Sequence, residues 1–189
     1  MPDLSLDPRK TALVVIDLQN ALMGFATLPH PVADVVRTNR QIADALRAQG
    51  GLVVWIRVDL NHFLTLPVDQ PPQFGGGQMP EELSEIAPSA GFDDGDMLIT
   101  KPHWGAFAGT ALEQELRLRG IDTVVLTGVS TNAGVESTLR QGTGLGFAFV
   151  VVEDACSSQV AEEHRFAFEK IFPRLARVRA ASEVLEALA

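Results

Sequence analysis

Short runs of consecutive apolar residues recur along the chain and are separated by longer, mixed segments. Four of these runs lie at residues 12–16, 52–58, 124–126 and 147–152, and a fifth at residues 97–101 is more polar. These runs consist mainly of Val, Ile, Leu and Phe, and their apolar residues do not alternate with polar ones. This pattern is typical of strands that are buried on both faces of a parallel sheet. We therefore expect each run to be a strand of such a sheet.

The segments between these runs show the period of amphipathic helices, with apolar residues spaced three or four positions apart. The predicted helices lie at residues 32–49, 112–119, 135–140, 162–171 and 183–188. Ser182 is the expected N-cap of the last helix, and residues 177–179 are a possible short last strand. This alternation predicts an α/β fold, namely a three-layer α/β/α sandwich around a doubly wound, mostly parallel sheet of about six strands. We expect residues 1–189 to form a single Rossmann-like domain.

One long segment breaks the alternation. Residues 59–90 hold five of the eleven prolines and the run Gly75–Gly77. Glycine beside proline in a long connection is typical of an active-site loop or lid. A surface excursion without a role in binding is the alternative interpretation.

Polar residues follow three of the predicted strands at the point where each strand ends. Asp17 follows the first, Lys101 ends the third, and residues 130–134 form a small polar turn after the fourth. Because the carboxyl ends of parallel strands share one edge of the sheet, these groups can converge there, where open α/β sheets bind ligands. Burial raises the pKa of a carboxyl group and a nearby ammonium lowers it, so Asp17 and Lys101 would titrate as a unit. The structural alternative for Asp17 is a helix N-cap.

Composition narrows the class of protein. The 189-residue chain is 46% hydrophobic and 21% charged, with a net charge of −9, which suits a globular domain with a substantial core and argues against nucleic acid as a partner. No apolar run approaches the length of a membrane span, and the N-terminal residues 1–10 hold no apolar core long enough for a signal peptide. The single cysteine, Cys156, excludes an intramolecular disulfide and fits a reducing compartment. We expect a cytoplasmic protein that acts on a small molecule.

Three motifs, in order and over most of the chain, resemble the isochorismatase-like (cysteine hydrolase) superfamily. They are VVIDLQN with Asp17, ITKPHWGAF with Lys101, and LTGVSTNAGVESTLR. The resemblance implies catalytic roles for Asp17 and Lys101, and a cis, non-proline peptide bond between Val129 and Ser130. It also implies a homo-oligomer, a dimer or larger.

One position departs from the amidase branches of that superfamily. In those enzymes a nucleophilic cysteine begins the helix after the turn, and the matching position here is Gly134. Cys156 lies elsewhere and reads best as a buried, inert thiol. The isochorismatase branch resembles this sequence more closely here, because it also has glycine. In that branch the aspartate protonates a vinyl ether carbon and water captures the resulting cation.

Three functions are compatible with this pattern. The first is a hydrolase of a small polar molecule in which Asp17 is the acid or base, Lys101 its electrostatic partner and water the nucleophile. The second is a catalytically inert small-molecule binding protein on the same scaffold. The third is an amidase-branch enzyme, similar to nicotinamidases or carbamoyl amidohydrolases, with an atypical site. The presence of both Asp17 and Lys101 favours the first, because binding alone does not require that pair.

Several further residues are candidates for binding the substrate. The resemblance suggests that Trp104 and Phe107 line the pocket, with core packing as the alternative, which we favour for Phe107. Phe25 is another candidate pocket wall. Arg57 could bind a substrate carboxylate through two hydrogen bonds or form a structural ion pair. Gln78 in the loop region is a weaker candidate.

The turn supplies the remaining candidates. The N–H groups of Ala133 and Gly134 are placed to bind an oxyanion, next to Ser130. Asn132 could bind a substrate or hold the turn. Glu136 and Arg140 have the i,i+4 spacing of a helical ion pair.

We predict no metal and no other cofactor. The nicotinamidase branch binds metal through an Asp-x-His segment after the second strand, and the residues here, Asp59 and His62, lack that spacing. We expect the four histidines to form no close ligand pair; they are His30, His62, His103 and His164. No glycine-rich run opens a helix in the manner of a nucleotide-binding site.

Overall fold

The apolar runs form one parallel sheet in the computed structural model, which describes residues 4–71 and 77–189. Its six strands are β1 (Thr11–Ile16), β2 (Leu52–Val58), β3 (Met97–Lys101), β4 (Thr123–Val129), β5 (Ala148–Ser157) and β6 (Arg177–Arg179). They lie in the order β3-β2-β1-β4-β5-β6, and every neighbouring pair is parallel. The strand order reverses between β1 and β4, so the crevice outside the carboxyl ends of these two strands is the expected ligand site.

Helices cover both faces of the sheet, because each strand sends alternate apolar side chains to either side. The helices are α1 (Val32–Ala48), α2 (Leu112–Leu118), α3 (Glu136–Gly144), α4 (Ala161–Phe166) and α5 (Ala181–Leu188). One core lies beneath α1 and α5, and the other lies beneath α2 and α3 and the helical turn that follows α4. The predicted three-layer, doubly wound α/β fold is confirmed.

The strand β5 is longer than its apolar run indicates. The prediction ended it before Glu153 and Asp154, but the strand continues to Ser157. The register with β4 shifts between Leu126 and Gly128, and pairing then resumes as far as Ser157. Two acidic residues are thereby held in a strand at the carboxyl edge of the sheet.

The start of α5 also differs from the prediction. Ser182 is inside the helix, so its expected role as N-cap is wrong. Carboxylates accept the first free N–H groups instead: Ala181 N–H donates to Asp154 Oδ1 at 2.7 Å, and Ala180 N–H donates to Glu183 Oε2 at 2.9 Å. A carboxylate at a helix N-terminus stabilises the helix, because its negative charge lies at the positive end of the helix dipole.

The connection between β2 and β3 is irregular, as expected, with short 3₁₀ turns at Glu81–Ser84 and Pro88–Ala90. Most of the run Gly75–Gly77 lies outside the described residues, so a lid stays a prediction. Within the part of the chain that the structure describes, no helix has both the length and the apolar character needed to cross a bilayer.

Candidate active site at the carboxyl edge of the sheet

Asp17 lies directly after β1, at the point where the strand order reverses. Its φ of +55° is unusual for a residue with a side chain, and its N–H donates to Ile56 O of the neighbouring strand at 3.0 Å. The side chain is 21% exposed. The alternative role as an N-cap is wrong, because the next α-helix begins only at Val32, with Pro31 at its N-cap.

Asp17 and Lys101 form an ion pair in the crevice. The Lys101 Nζ lies 2.8 Å from Asp17 Oδ2, and the lysine side chain is only 2% exposed. Nζ also donates a hydrogen bond to His103 O at 3.1 Å. A buried ammonium needs such partners, and these two contacts hold the charge of Lys101 against one oxygen of Asp17.

The two oxygens of the Asp17 carboxyl have different surroundings. Oδ1 is buried and has no hydrogen-bond partner among the described residues, whereas Oδ2 contacts Lys101. Burial raises the pKa of the Asp17 carboxyl, and the Lys101 ammonium lowers it by less. Asp17 therefore keeps its proton to a higher pH than an ordinary aspartate does, as expected for a general acid.

The turn after β4 places Gly134 beside this pair. The peptide bond between Val129 and Ser130 is cis, as predicted, and a π-helical turn at Thr131–Val135 leads into α3. A Cβ atom built on Gly134 would lie 3.2 Å from Asp17 Oδ2, 3.5 Å from Trp104 O and 2.8 Å from Ile16 Cγ2. The three motif segments therefore meet at one point, as their positions at strand ends predicted.

The backbone of the turn makes hydrogen bonds within itself. Ser130 O accepts the N–H of Ala133 at 3.1 Å and that of Val135 at 3.2 Å. The N–H of Ala133 therefore already donates a hydrogen bond within the turn. Binding roles for Ser130 and Ala133 stay predictions.

Asn132 points away from the pair, toward α4. Its side-chain amide donates to Glu163 Oε2 at 3.0 Å, and its carbonyl oxygen accepts from Ser158 Oγ at 2.7 Å. Both ends of the amide hold the turn against the neighbouring loop and helix. This arrangement favours the structural interpretation of Asn132.

Aromatic side chains lie beside the segment that carries Lys101. Trp104 is 38% exposed, with its ring 5.4 Å from Phe63 and 5.7 Å from His103, measured between centroids. Phe63 stacks on His103 at 5.1 Å. Phe107 is buried in the core, as predicted. Sequence reasoning missed Phe63 because it belongs to the irregular segment, where no period marks one face.

The remaining binding candidates are Phe25, Gln78 and Arg57. Phe25 and Gln78 are exposed. Arg57 donates from Nε to Thr100 Oγ1 on β3 at 3.0 Å. Substrate binding by these three residues stays a prediction.

Gln19 supports the site, although the sequence analysis gave it no role. It is buried, and its side-chain amide donates to Val58 O at 2.8 Å and to Ser84 O at 2.9 Å. Its side-chain oxygen accepts the N–H of Val58 at 2.9 Å. Gln19 thereby joins the ends of β1 and β2 to the irregular segment. A glutamine three residues beyond the end of a buried strand was the only signal.

Two structural interpretations are confirmed. Cys156 is fully buried, and burial raises the pKa of its thiol well above the usual value. Glu136 and Arg140 form the expected ion pair, with Glu136 Oε1 at 2.9 Å from Arg140 Nε.

The expectation that no histidines pair is wrong. His30 and His164 both contact Glu153 Oε1, at 3.2 Å and 3.0 Å from their Nε2 atoms. His30 lies before α1, Glu153 on β5 and His164 on α4, so the spacing along the sequence carried no sign of the contact. The pairing depends on the continuation of β5 beyond its apolar run.

Comparison with known proteins identifies the family of this chain. The model of the isochorismatase domain matches residues 11–183. The isochorismatase family protein YecD of Escherichia coli O157:H7 is 46% identical over 189 residues, covering 98% of this chain and 100% of that protein. The ureidoacrylate amidohydrolase RutB of Klebsiella pneumoniae is 33% identical over 187 residues, covering 80% of this chain and 75% of that enzyme. A solved isochorismatase family protein from Burkholderia thailandensis superposes with a TM-score of 0.91 at 38% identity, covering 97% of each chain. The chain therefore belongs to the isochorismatase family of hydrolases.

Proposed function

We propose that this hydrolase cleaves a small, polar enol ether by acid catalysis, with water as the nucleophile and without a cysteine. The observation that carries the proposal is the surroundings of Asp17 Oδ2. This oxygen contacts Lys101 on one side and faces the position above Gly134, where no side chain stands, on the other. A substrate that packs against the bare Cα of Gly134 would approach this oxygen closely enough to receive a proton held on the carboxyl group.

The first step is a proton transfer from Asp17 to carbon. The π electrons of the enol ether form a C–H bond to the proton at the terminal vinyl carbon, and the other carbon becomes an oxocarbenium ion. The Asp17 carboxylate that remains is stabilised by the Lys101 ammonium 2.8 Å away. Lys101 thus favours the state that follows the transfer, whereas burial favours the protonated state before it.

The second step adds water. A water oxygen bonds to the oxocarbenium carbon and gives up a proton to the Asp17 carboxylate, which restores the acid. The hemiketal then breaks into an alcohol and a ketone, so the sum is one substrate and one water consumed. No covalent enzyme intermediate is needed, and the absence of a thiol at Gly134 is no obstacle.

Gly134 has a direct role in this scheme. A side chain there would occupy the space 3.2 Å from Asp17 Oδ2 and would press on Ile16 Cγ2 at 2.8 Å. Glycine instead leaves room for the substrate to approach the acid. Amide hydrolysis of the kind named for RutB would require another nucleophile, and Cys156 is buried in the core.

Product formation from two small panels tests the proposal. One panel contains enol ethers such as isochorismate, and the other contains amides and ureides; products are followed by mass spectrometry. We expect the unaltered protein to hydrolyse an enol ether and none of the amides. Gly134→Ala should lower kcat/KM for that enol ether about 10- to 100-fold, because displacing a substrate by about 1 Å has effects of that size.

Gly134→Cys is the matched variant, since it adds a thiol to nearly the same steric change. The proposal requires that it lose enol ether hydrolysis as Gly134→Ala does. Amide hydrolysis by Gly134→Cys, together with no enol ether hydrolysis by the unaltered protein, would contradict the proposal. That result would indicate an amidase scaffold that has lost its nucleophile.

A further inference from the structure

A second polar cluster lies at the same edge of the sheet, next to the turn that carries Gly134, where His164 contacts Thr131. It consists of His30, Glu153 and His164, whose ligand atoms all lie within 4.8 Å of one another. We infer that these three side chains bind a divalent transition-metal ion of the Zn²⁺ type. The inference is independent of the chemistry proposed for Asp17.

The donor set fits such an ion. Two imidazole nitrogens and one carboxylate oxygen are ligands that Zn²⁺ uses in proteins, and three protein ligands leave a fourth position for water. Zinc bonds of about 2.0–2.1 Å in tetrahedral geometry place ligand atoms about 3.3 Å apart. The separations from Glu153 Oε1 to the two Nε2 atoms, 3.2 Å and 3.0 Å, are close to that value. For tetrahedral coordination, only the distance between the ring nitrogens of His30 and His164 has to shorten.

The charge of Glu153 suits a metal ligand. Both imidazole Nε2 atoms lie within hydrogen-bond distance of Glu153 Oε1, so this one carboxylate oxygen is already the common partner of the two rings. A metal ion would replace the imidazole protons that this carboxylate now attracts, and the carboxylate would keep its charge.

The backbone around His30 positions its ring. The His30 carbonyl accepts hydrogen bonds from Ser157 Oγ at 2.8 Å and Thr27 Oγ1 at 2.7 Å, and its N–H donates to Ser157 Oγ at 3.3 Å. The side chain itself is 29% exposed. The ring can therefore turn toward His164 without disturbing the loop that carries it.

His164 has the outer hydrogen bond that metal-binding histidines commonly make. Its Nδ1 lies 2.8 Å from Thr131 Oγ1, and both residues are buried. With a metal on Nε2, Nδ1 carries the proton and donates to the Thr131 hydroxyl, which fixes the orientation of the ring. Thr131 is the first residue of the turn that carries Gly134. A bound ion would thus brace this turn against β5 and α4.

Titration calorimetry with ZnCl₂ tests the site. We expect one equivalent of Zn²⁺ to bind the unaltered protein and to raise its Tm, because the ion binds only the folded arrangement. His30→Gln and Glu153→Gln should each weaken binding at least 10- to 100-fold, since losing even an outer partner of a ligand costs that much. Both side chains are partly exposed, so these variants should fold.

His62→Gln is the matched control. His62 is an exposed histidine that also pairs with a carboxylate, Asp59 Oδ2, at 2.8 Å. We expect its removal to leave Zn²⁺ affinity unchanged. Equal weakening by His62→Gln, or no saturable binding by the unaltered protein, would overturn the inference.

Imidazole ¹⁵N NMR supplies a readout that protein stability does not affect. Zn²⁺ should shift the signals of His30 and His164 and hold His164 in the tautomer protonated at Nδ1. The signals of His62 and His103 should stay in place. Shifts confined to His62 and His103 would show that the ion binds elsewhere, against the inference.

Discussion

Replacing Asp17 by Asn should lower kcat for the enol ether by about 10²- to 10⁴-fold, the range over which a positioned acid accelerates a reaction. Asparagine has nearly the same shape but holds no transferable proton. Lys101 would still have His103 O and the new amide oxygen as partners at the positions seen here. Substrate should therefore still bind, and the loss should appear in kcat rather than in KM.

Asp59→Asn is the control for this change. Asp59 follows β2 at the same edge of the sheet and pairs with the exposed ring of His62. We expect its kcat to equal that of the unaltered protein. Steady-state kinetics on the purified variants, with circular dichroism as a check of folding, decides the matter. Near-normal turnover by Asp17→Asn would contradict acid catalysis by this residue.

Gly128→Ala should reduce the free energy of unfolding by about 2–6 kcal/mol, the sum of backbone strain and overpacking of about 1–3 kcal/mol each. Gly128 has a φ of +111°, and a Cβ atom there would lie 2.2 Å from Ile16 O and 2.6 Å from Ile16 N. These are backbone atoms of the central strand, so relief requires β1 and β4 to separate. Because Asp17 follows Ile16, we expect activity to fall as well.

Gly146→Ala separates the two contributions to that cost. Gly146 has a φ of +89°, but a Cβ atom there would meet no atom of the described residues within 4 Å. Its cost should be only that of the left-handed backbone, about 1–2 kcal/mol. Urea denaturation of both variants measures the difference. Equal destabilisation would show that the close approach of β4 to Ile16 has no energetic consequence.

Much of the fold follows from the sequence because the core-forming runs are unambiguous. Five consecutive apolar residues, 12–16, precede Asp17, and every side chain of β1 is buried. The rule that parallel strands end at one edge then brings Asp17, Lys101 and the turn together. The structure agrees with this expectation: Asp17 and Lys101 form an ion pair at 2.8 Å, and Gly134 lies beside that pair.

The rest depends on contacts that have no local pattern. The continuation of β5 to Ser157 is fixed by pairing with β4 beyond a register shift, which no property of residues 153–157 shows. That continuation places Glu153 between His30 and His164. Asp17 takes its positive φ only once the strands are assembled, and the same holds for its Oδ1, which has no hydrogen-bond partner within residues 4–71 and 77–189. Phe63 belongs to an irregular segment, where periodicity gives no information.

The pH dependence of kcat/KM for the enol ether tests the central claim most directly, because this profile reports the protonation state of the free enzyme. A general acid must carry its proton, and burial raises the pKa of Asp17. We therefore expect kcat/KM to stay constant below that raised pKa and to fall about tenfold per pH unit above it. A rate that rises with pH through the same range would show that Asp17 acts as a base on the free enzyme, and would contradict the mechanism.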